Sequence, residues 1–168
     1  MENEIVNRVA NSKLVVVDLE DYYPKGQRTV FDIKNWLFQE LVLREKDFRT
    51  QVNEHDWAQY QDQYVAMICT SDAIVPAWAF MLLTMHLQPY AKRIVVGDLE
   101  KLETAIYQDI IKALDVSIYE DQFLIIKGCS NKPVPTNAYI LLSEKLRPIA
   151  KSIMYGEACS SVPLYKRK

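Results

Sequence analysis

Residues 64–98 read YVAMICTSDAIVPAWAFMLLTMHLQPYAKRIVVGD, and this stretch decides the fold. The short apolar run YVAMIC at 64–69 is typical of a buried strand. The longer apolar run PAWAFMLLTMHL at 76–87 predicts a helix that begins near Pro76, where a missing N–H costs nothing. The run KRIVVGD at 92–98 then predicts a second strand. A strand, a helix and a strand in this order predict a βαβ unit with parallel strands.

A very similar stretch follows later in the chain. When residues 135–157 are laid over residues 76–98 without a gap, ten of the 23 positions are identical. The identities include two prolines and a glycine that an amphipathic helix does not require: Pro76/Pro135, Pro89/Pro148 and Gly97/Gly156. We therefore predict an internal βαβ duplication with copies at about 64–98 and 123–157.

The rest of the chain fits the same alternation of strands and helices. KLVVVD at 13–18 predicts a first strand, and residues 100–114 predict a helix. Residues 29–52 place apolar side chains at roughly helical spacing and predict mostly helix, with LVLR at 41–44 as an alternative short strand. KSIMYG at 151–156 is a further candidate strand. We predict an α/β fold for residues 1–168: one domain, a three-layer sandwich with a mainly parallel sheet and helices on both faces.

Composition narrows the function classes. The 168 residues match one domain of roughly 150 residues, and 49% of them are hydrophobic, enough for a sizeable core. Because 20 basic and 22 acidic residues are mixed along the chain, we expect no nucleic-acid partner. No apolar stretch reaches 18 residues and no basic segment precedes an apolar one at the start, so we expect a soluble, cytoplasmic protein without membrane association.

Three cysteines, Cys69, Cys129 and Cys159, are the main candidate site residues. Their odd number and wide spacing favour reduced thiols over a disulfide scaffold. Each follows a predicted strand, so we expect all three at the carboxyl edge of one sheet, where open α/β sheets bind ligands. A nearby helix N-terminus lowers the pKa of a thiol and favours the metal-binding thiolate.

Three converging thiolates suit zinc, iron or an iron–sulfur cluster. Asp72 is the better candidate for a fourth ligand, because His86 lies in the middle of a predicted helix. We predict a metal- or iron–sulfur-binding accessory factor. Two alternatives stay open: a non-catalytic protein-interaction module with structural cysteines, and a thiol-dependent redox or transfer enzyme. The aromatic-rich stretch 54–64 is a candidate interface. The acidic residues Asp18, Glu20 and Asp21, after the first strand, are either solvated or functional.

Several long phrases carry a family resemblance: EIVNRVANSKLVVVDLEDYYP, FDIKNWL, EKDFR, HDWAQYQ, SDAIVPAWAFMLL, KGCSNKPVP and CSSVPLYKRK. Through them the chain resembles, over its whole length, the bacterial family named domain of unknown function 2480. The resemblance implies genes that lie near those for SUF-type iron–sulfur cluster assembly, and hence iron–sulfur assembly proteins as possible partners. It carries over no catalytic residue. All three cysteines lie within or beside the phrases that carry it.

Overall fold

The structure is a computed structural model that describes residues 14–128 and 131–168. Its strands and α-helices are β1 (Leu14–Asp18), β2 (Arg28–Asp32), α1 (Glu45–Glu54), β3 (Tyr64–Ile68), α2 (Ala77–Leu87), β4 (Arg93–Val96), α3 (Leu99–Ala113), β5 (Phe123–Lys127), α4 (Thr136–Leu146), β6 (Ser152–Tyr155) and β7 (Val162–Lys166). Short 3₁₀ turns follow β1 and β2 and precede β3 and β5. The predicted α/β class is confirmed.

The described strands form two sheets, whereas the sequence led us to expect one. One sheet has the order β1-β5-β6-β7 and the other the order β2-β3-β4. All strand pairs are parallel except β6 and β7, which run antiparallel. The expectation of a single sheet was wrong because alternation of strands and helices predicts βαβ units but does not say which strand pairs with which.

The chain divides into two compact units, each containing one of these sheets. Unit 2 comprises residues 24–106, and the described part of unit 1 comprises residues 14–23, 107–128 and 131–168. Each unit has its own apolar core, centred on Leu142 and Leu124 in unit 1 and on Leu83 and Val65 in unit 2. The single domain and the three-layer arrangement stay predictions.

Residues 29–44 contain no α-helix, which corrects the prediction of a mostly helical segment there. Thr29, Val30 and Phe31 belong to β2, which pairs in parallel with β3. Asp32 then ends the strand, because its side chain accepts a hydrogen bond from the backbone N–H of Lys34 and starts a 3₁₀ turn. The segment 41–44 forms no named strand; only an isolated bridge joins Phe38 and Val42. The predicted helix is real only from Glu45 onward.

The backbone of unit 2 is matched in unit 1 at positions 59 residues later. The N–H of Asp62 donates to the carbonyl of Tyr90 and that of Asp121 to the carbonyl of Ile149. The N–H of Gly97 donates to Met67, as that of Gly156 donates to Ile126. The residues that precede α2 and α4 are both prolines, and each helix buries three matched side chains: Ala79, Leu83 and Leu87 on α2, and Ala138, Leu142 and Leu146 on α4.

Candidate functional site

Cys69 lies directly after β3, at the carboxyl end of the unit 2 sheet, as the sequence predicted. Its side chain is partly buried and packs against the unit 2 core. Its Sγ lies 3.3 Å from the hydroxyl oxygen of Ser71. The thiol is therefore part of a local turn and of the edge of an apolar cluster.

Cys69 and Cys159 follow strands that belong to different sheets. Cys159 is exposed in the turn between β6 and β7 of unit 1, whereas Cys69 follows a strand of unit 2. Cys129 lies outside the described residues. The expectation that all three follow strands of one sheet was therefore wrong, because β3 and β6 belong to different sheets.

The sequence register also separates the cysteines. In the gapless alignment of the two copies Cys69 stands opposite Gly128, and Cys129 stands opposite Thr70. The two phrases that begin with cysteine are therefore offset by one residue. The two segments that begin with cysteine are similar in sequence, but Cys69 and Cys129 do not occupy equivalent positions of the repeat.

The structure gives no support to a metal site among the residues it describes. Within residues 14–128 and 131–168, no group of three or more His, Cys, Asp or Glu side chains is placed to hold a metal ion. Asp72 is exposed and lines an apolar groove, and His86 packs against the ring of Trp57 at 5.3 Å between centroids. Because Cys129 lies outside the described part, the ligand set Cys69, Cys129, Cys159 and Asp72 stays a prediction.

The carboxyl end of the unit 2 sheet is held by Asp32, which the sequence did not single out. Its Oδ1 accepts hydrogen bonds from the backbone N–H groups of Lys34 and Thr70, at 3.0 and 3.2 Å, and its Oδ2 accepts one from the Thr70 hydroxyl. Burial alone would raise the pKa of Asp32, but these hydrogen bonds outweigh it and lower the pKa below its usual value. Asp32 thus ties the loop after Cys69 to the end of β2.

The acidic turn after β1 has the same kind of structural role in unit 1. Asp18 accepts from the backbone N–H of Glu20 and lies 3.3 Å from Lys127 Nζ, which also lies 4.0 Å from Glu157. Glu20 is 9% exposed, and its carboxylate accepts from the backbone N–H of Asn131. These contacts pin the loop after β5 to the end of β1, which favours a structural role over a merely solvated turn.

The aromatic stretch 54–64 contributes its rings to the unit 2 core. Trp57 and Tyr60 are buried, and Trp57 donates its indole N–H to the carbonyl of Val52 at 2.8 Å. His55 packs edge-on against Trp57 at 4.7 Å between centroids, and burial lowers its pKa despite the neighbouring Asp56. The aromatic side chains of residues 54–64 therefore pack inside unit 2, and the stretch is a poorer candidate interface than the sequence suggested.

A surface that was not predicted from the sequence lies on the exposed side of α2, opposite its buried residues. We call it the apolar groove; its lining includes Leu41, Val42, Glu45, Arg49, Asp72, Ile74, Trp78, Met81 and Met85. It consists of two adjoining depressions that share Glu45 and Trp78. The sequence did carry a signal, because α2 (AWAFMLLTMHL) is apolar on nearly every side, more than one buried face requires.

Comparison with known proteins places the chain in a family. The family model described as "Protein of unknown function (DUF2480)" matches residues 3–167. The chain belongs to the DUF2480 family. No curated protein and no solved structure matches it. The resemblance inferred from the sequence is thereby confirmed.

The lengths and compositions of the described helices bear on whether the chain could span a membrane. None of the helices within residues 14–128 and 131–168 is long and apolar enough to cross a membrane. The cytoplasmic location, the absence of a nucleic-acid partner and the iron–sulfur assembly partners stay predictions.

Proposed function

We propose that this DUF2480 protein is a non-catalytic protein-interaction module whose apolar groove binds an amphipathic helix of a partner protein. One observation carries the proposal: large apolar side chains are exposed along one connected groove. Ile74 is 92% exposed, Met81 63% and Met85 66%. Contiguous exposed apolar surface on a folded chain marks an interaction site more often than a single exposed side chain does.

A helix in the position of α2 does not need an apolar side chain at every one of these positions. The matching helix α4 buries the same three positions but has Asn137 where α2 has Trp78 and Glu144 where α2 has Met85. A helix in this position therefore packs well with polar residues on that face. At these two positions the apolar side chain is a feature of unit 2, whereas Met81 has an apolar counterpart in Ile140, which is 52% exposed. The apolar residues at positions 78 and 85 support a role in binding.

The shape of the groove favours a helical partner. Trp78, Met81 and Met85 stand at positions i, i+3 and i+7 of α2 and form a stripe about 10 Å long. Such stripes receive the apolar residues of an amphipathic helix, and methionine side chains adapt their shape to the bound surface. At the groove wall Arg49 is paired with Glu45 at 2.9 Å. Asp72, near Ile74, would favour a basic residue on the partner.

We also propose that the two units are copies of one βαβ unit, each preceded by a strand and a 3₁₀ turn. Support comes from the ten identities in 23 aligned positions and from the matched backbone hydrogen bonds. The strand registers agree as well, since Asp18 ends β1 beside β5 as Asp32 ends β2 beside β3. A duplication explains why matched positions can be compared between the units.

Site-specific photo-cross-linking tests the interaction module. A photoreactive amino acid at position 74 should yield one cross-linked partner in cells, identified by mass spectrometry. A second probe at Lys46, which is exposed on α1, is the matched control. The adduct from position 74 should disappear in a Met85→Glu variant, because a charge there opposes burial of the partner's apolar face. The captured protein, once purified, should bind the wild-type chain and lose affinity for Met85→Glu.

Two results would contradict the proposal. The first is the same pattern of adducts from positions 74 and 46, or no adduct from either. The second is an adduct with twice the mass of this chain, which would make a second copy the occupant. In each case the groove would not be a site for a partner helix.

The predicted metal site has its own test. Protein purified without oxygen is analysed for iron and zinc and by visible absorption, beside a variant in which Cys69, Cys129 and Cys159 are all changed to Ser. If the wild-type protein contains near-stoichiometric iron or zinc and the variant does not, a metal- or iron–sulfur-binding accessory factor would be favoured over the interaction module. Metal-free protein in both samples would leave the apolar groove as the site to pursue.

A further inference from the structure

The two sheets end differently on the side of their last parallel strand. In unit 1, β7 pairs antiparallel with β6 and completes the sheet. In unit 2, β4 occupies the matching position, and within the part of the chain that the structure describes β3 is the one strand paired with it. At matched positions Arg93 and Ile94 of β4 are partly buried, whereas Ser152 and Ile153 of β6 are buried. The edge of β4 is therefore open where the edge of β6 is covered.

An arginine holds β7 in its place on β6. The backbone N–H of Arg167 donates to the carbonyl of Lys151 at 2.9 Å. Its guanidinium donates to the carboxylate of Asp121 and to the carbonyls of Pro148 and Ile149. We call Asp121 and these two carbonyls the arginine cradle of unit 1. A second anchor is Tyr165, which packs against the unit 1 core.

Unit 2 contains the same cradle at the matching positions, made of Asp62 and the carbonyls of Pro89 and Tyr90. Asp62 and Asp121 both have left-handed backbone angles, with φ of 59° and 54°. Their N–H groups donate to Tyr90 and Ile149 at 2.9 and 3.0 Å. Asp62 and Pro89 are exposed. The backbone geometry that receives Arg167 in unit 1 is thus repeated beside the open edge of β4.

The chain cannot fill this edge in the way it fills the other one. In unit 1 the residues after Gly156 form a turn that leads back along β6 as β7. In unit 2 the residues after Gly97 enter α3 at Leu99, so no strand follows β4 directly. A strand on this edge has to come from elsewhere.

We propose that the edge of β4 and the cradle at Asp62 bind an extended basic segment of a partner protein, which adds to the sheet antiparallel to β4. The segment carries an arginine that contacts the Asp62 carboxylate and the carbonyls of Pro89 and Tyr90. Backbone hydrogen bonds to an open sheet edge supply affinity in this mode of recognition, and side-chain contacts supply specificity. The carboxylate and two carbonyl oxygens select a cation with several donors, which arginine provides.

This site is distinct from the apolar groove and differs from it in chemistry. A comparison with unit 1 indicates that the partner segment does not need an aromatic residue at the position of Tyr165. Arg147 lies over the ring of Tyr165 at 4.7 Å, but its counterpart in unit 2 is Gln88, which has no charge to place over an aromatic ring. The arginine, more than an aromatic residue, is therefore the anchor expected of the partner segment.

The probe is a labelled peptide with the sequence of residues 160–168, SSVPLYKRK, which has the pattern of β7. Binding to the full chain is followed by fluorescence anisotropy. We expect Asp62→Asn to weaken binding about tenfold, as does replacement of the peptide arginine by alanine. Asn keeps the left-handed backbone of position 62 accessible. Asp47→Asn, an exposed site on α1 with the same charge change, should alter affinity less than about twofold.

Amide chemical shifts locate the bound peptide. Shifts confined to residues 62 and 89–97 support the proposal, and equal binding by Asp62→Asn overturns it. Shifts at residues 152–155 without shifts at 93–96 also overturn it, because the peptide would then have exchanged with β7. A dimer that forms with rising protein concentration and is lost in Asp62→Asn would also overturn it, because a second copy of this chain would then be the occupant. Met85→Glu should leave peptide binding unchanged, so failure here and failure of the apolar groove are distinguishable.

Discussion

The ion pair of Arg28 and Glu103 gives the sharpest test of the packing in unit 2. Arg28 Nε lies 2.7 Å from Glu103 Oε1, and Nη2 lies 3.3 Å from Oε2, so the contact is bidentate. The two side chains are 11% and 8% exposed. Arg28 Nη1 also donates to the carbonyls of Pro24 and Gly26 at 2.8 and 2.7 Å. The pair therefore joins the turn before β2 to α3 away from bulk water.

Changing Glu103 to Ala removes the carboxylate and leaves a buried guanidinium without that compensating charge. Loss of one partner of a buried ion pair costs about 3–5 kcal/mol of unfolding free energy. Replacing both residues, as in Arg28→Met with Glu103→Leu, should cost much less, because no buried charge is left uncompensated. With Arg28→Met and Glu103→Leu as its two single variants, the double-mutant cycle should give a coupling free energy of about 2–3 kcal/mol.

Equilibrium unfolding in urea measures these changes by tryptophan fluorescence. Trp36, Trp57 and Trp78 all lie in unit 2, so the signal reports on the unit that contains the ion pair. Glu45→Ala, which breaks the exposed pair with Arg49, is the matched control and should cost less than about 1 kcal/mol. A loss below about 1 kcal/mol for Glu103→Ala would refute the reasoning, because such a value belongs to a solvated pair.

Three further predictions concern single residues. Lys145→Met should lower the free energy of unfolding in urea by about 1–3 kcal/mol, because Lys145 Nζ donates to three carbonyls at the end of α3 at 2.6–2.8 Å. Lys112→Met, at an exposed position, is the control, and an equal loss in that variant would contradict this prediction. Gly97→Ala should lower the free energy of unfolding by about 1–3 kcal/mol, since a residue with a side chain is strained at a φ of 142°. Thermal unfolding measures this loss, and an unchanged Tm would disprove it. His55 has a lowered pKa, so on acidification the unfolded chain binds its proton first and stability should fall as the pH drops below about 6.5. Unfolding free energies from about pH 7.5 to about pH 5 should depend less on pH in His55→Phe, and an identical slope would count against the burial of His55.

The sequence predicted most elements that have a strong apolar pattern of their own. β1, β3 and β5 are short apolar runs, α2 is a longer apolar run, and α3 and α4 are longer amphipathic segments. β2 was missed because it is short and runs into a 3₁₀ turn, which together imitate helical spacing. β7 was missed because VPLYK contains a proline and packs through few of its side chains. Its pairing with β6 is tertiary information that no local pattern contains.

The site was predicted less well for a physical reason. A cysteine after a strand says that the thiol lies at a sheet edge, but it does not say which sheet. β1 pairs with β5, across the whole of unit 2 in the sequence, and this long-range pairing assigns Cys69 and Cys159 to different sheets. The resemblance of the two cysteine phrases concealed a one-residue offset, which a count back from Pro76 and Pro135 would have detected.

The two proposed surfaces have one cause in common: each lies where unit 2 departs from unit 1 on a shared backbone. α4 presents Asn137 and Glu144 where α2 presents Trp78 and Met85, and β6 is covered where β4 is open. Unit 1 thus shows that a closed and more polar version of the same unit is stable in this chain. Making positions 78 and 85 of unit 2 polar requires only the residues already present at the matching positions of unit 1. A Met85→Glu variant, which transfers the residue of unit 1 at a position that is 66% exposed, should therefore remove binding at the groove while unit 2 stays folded.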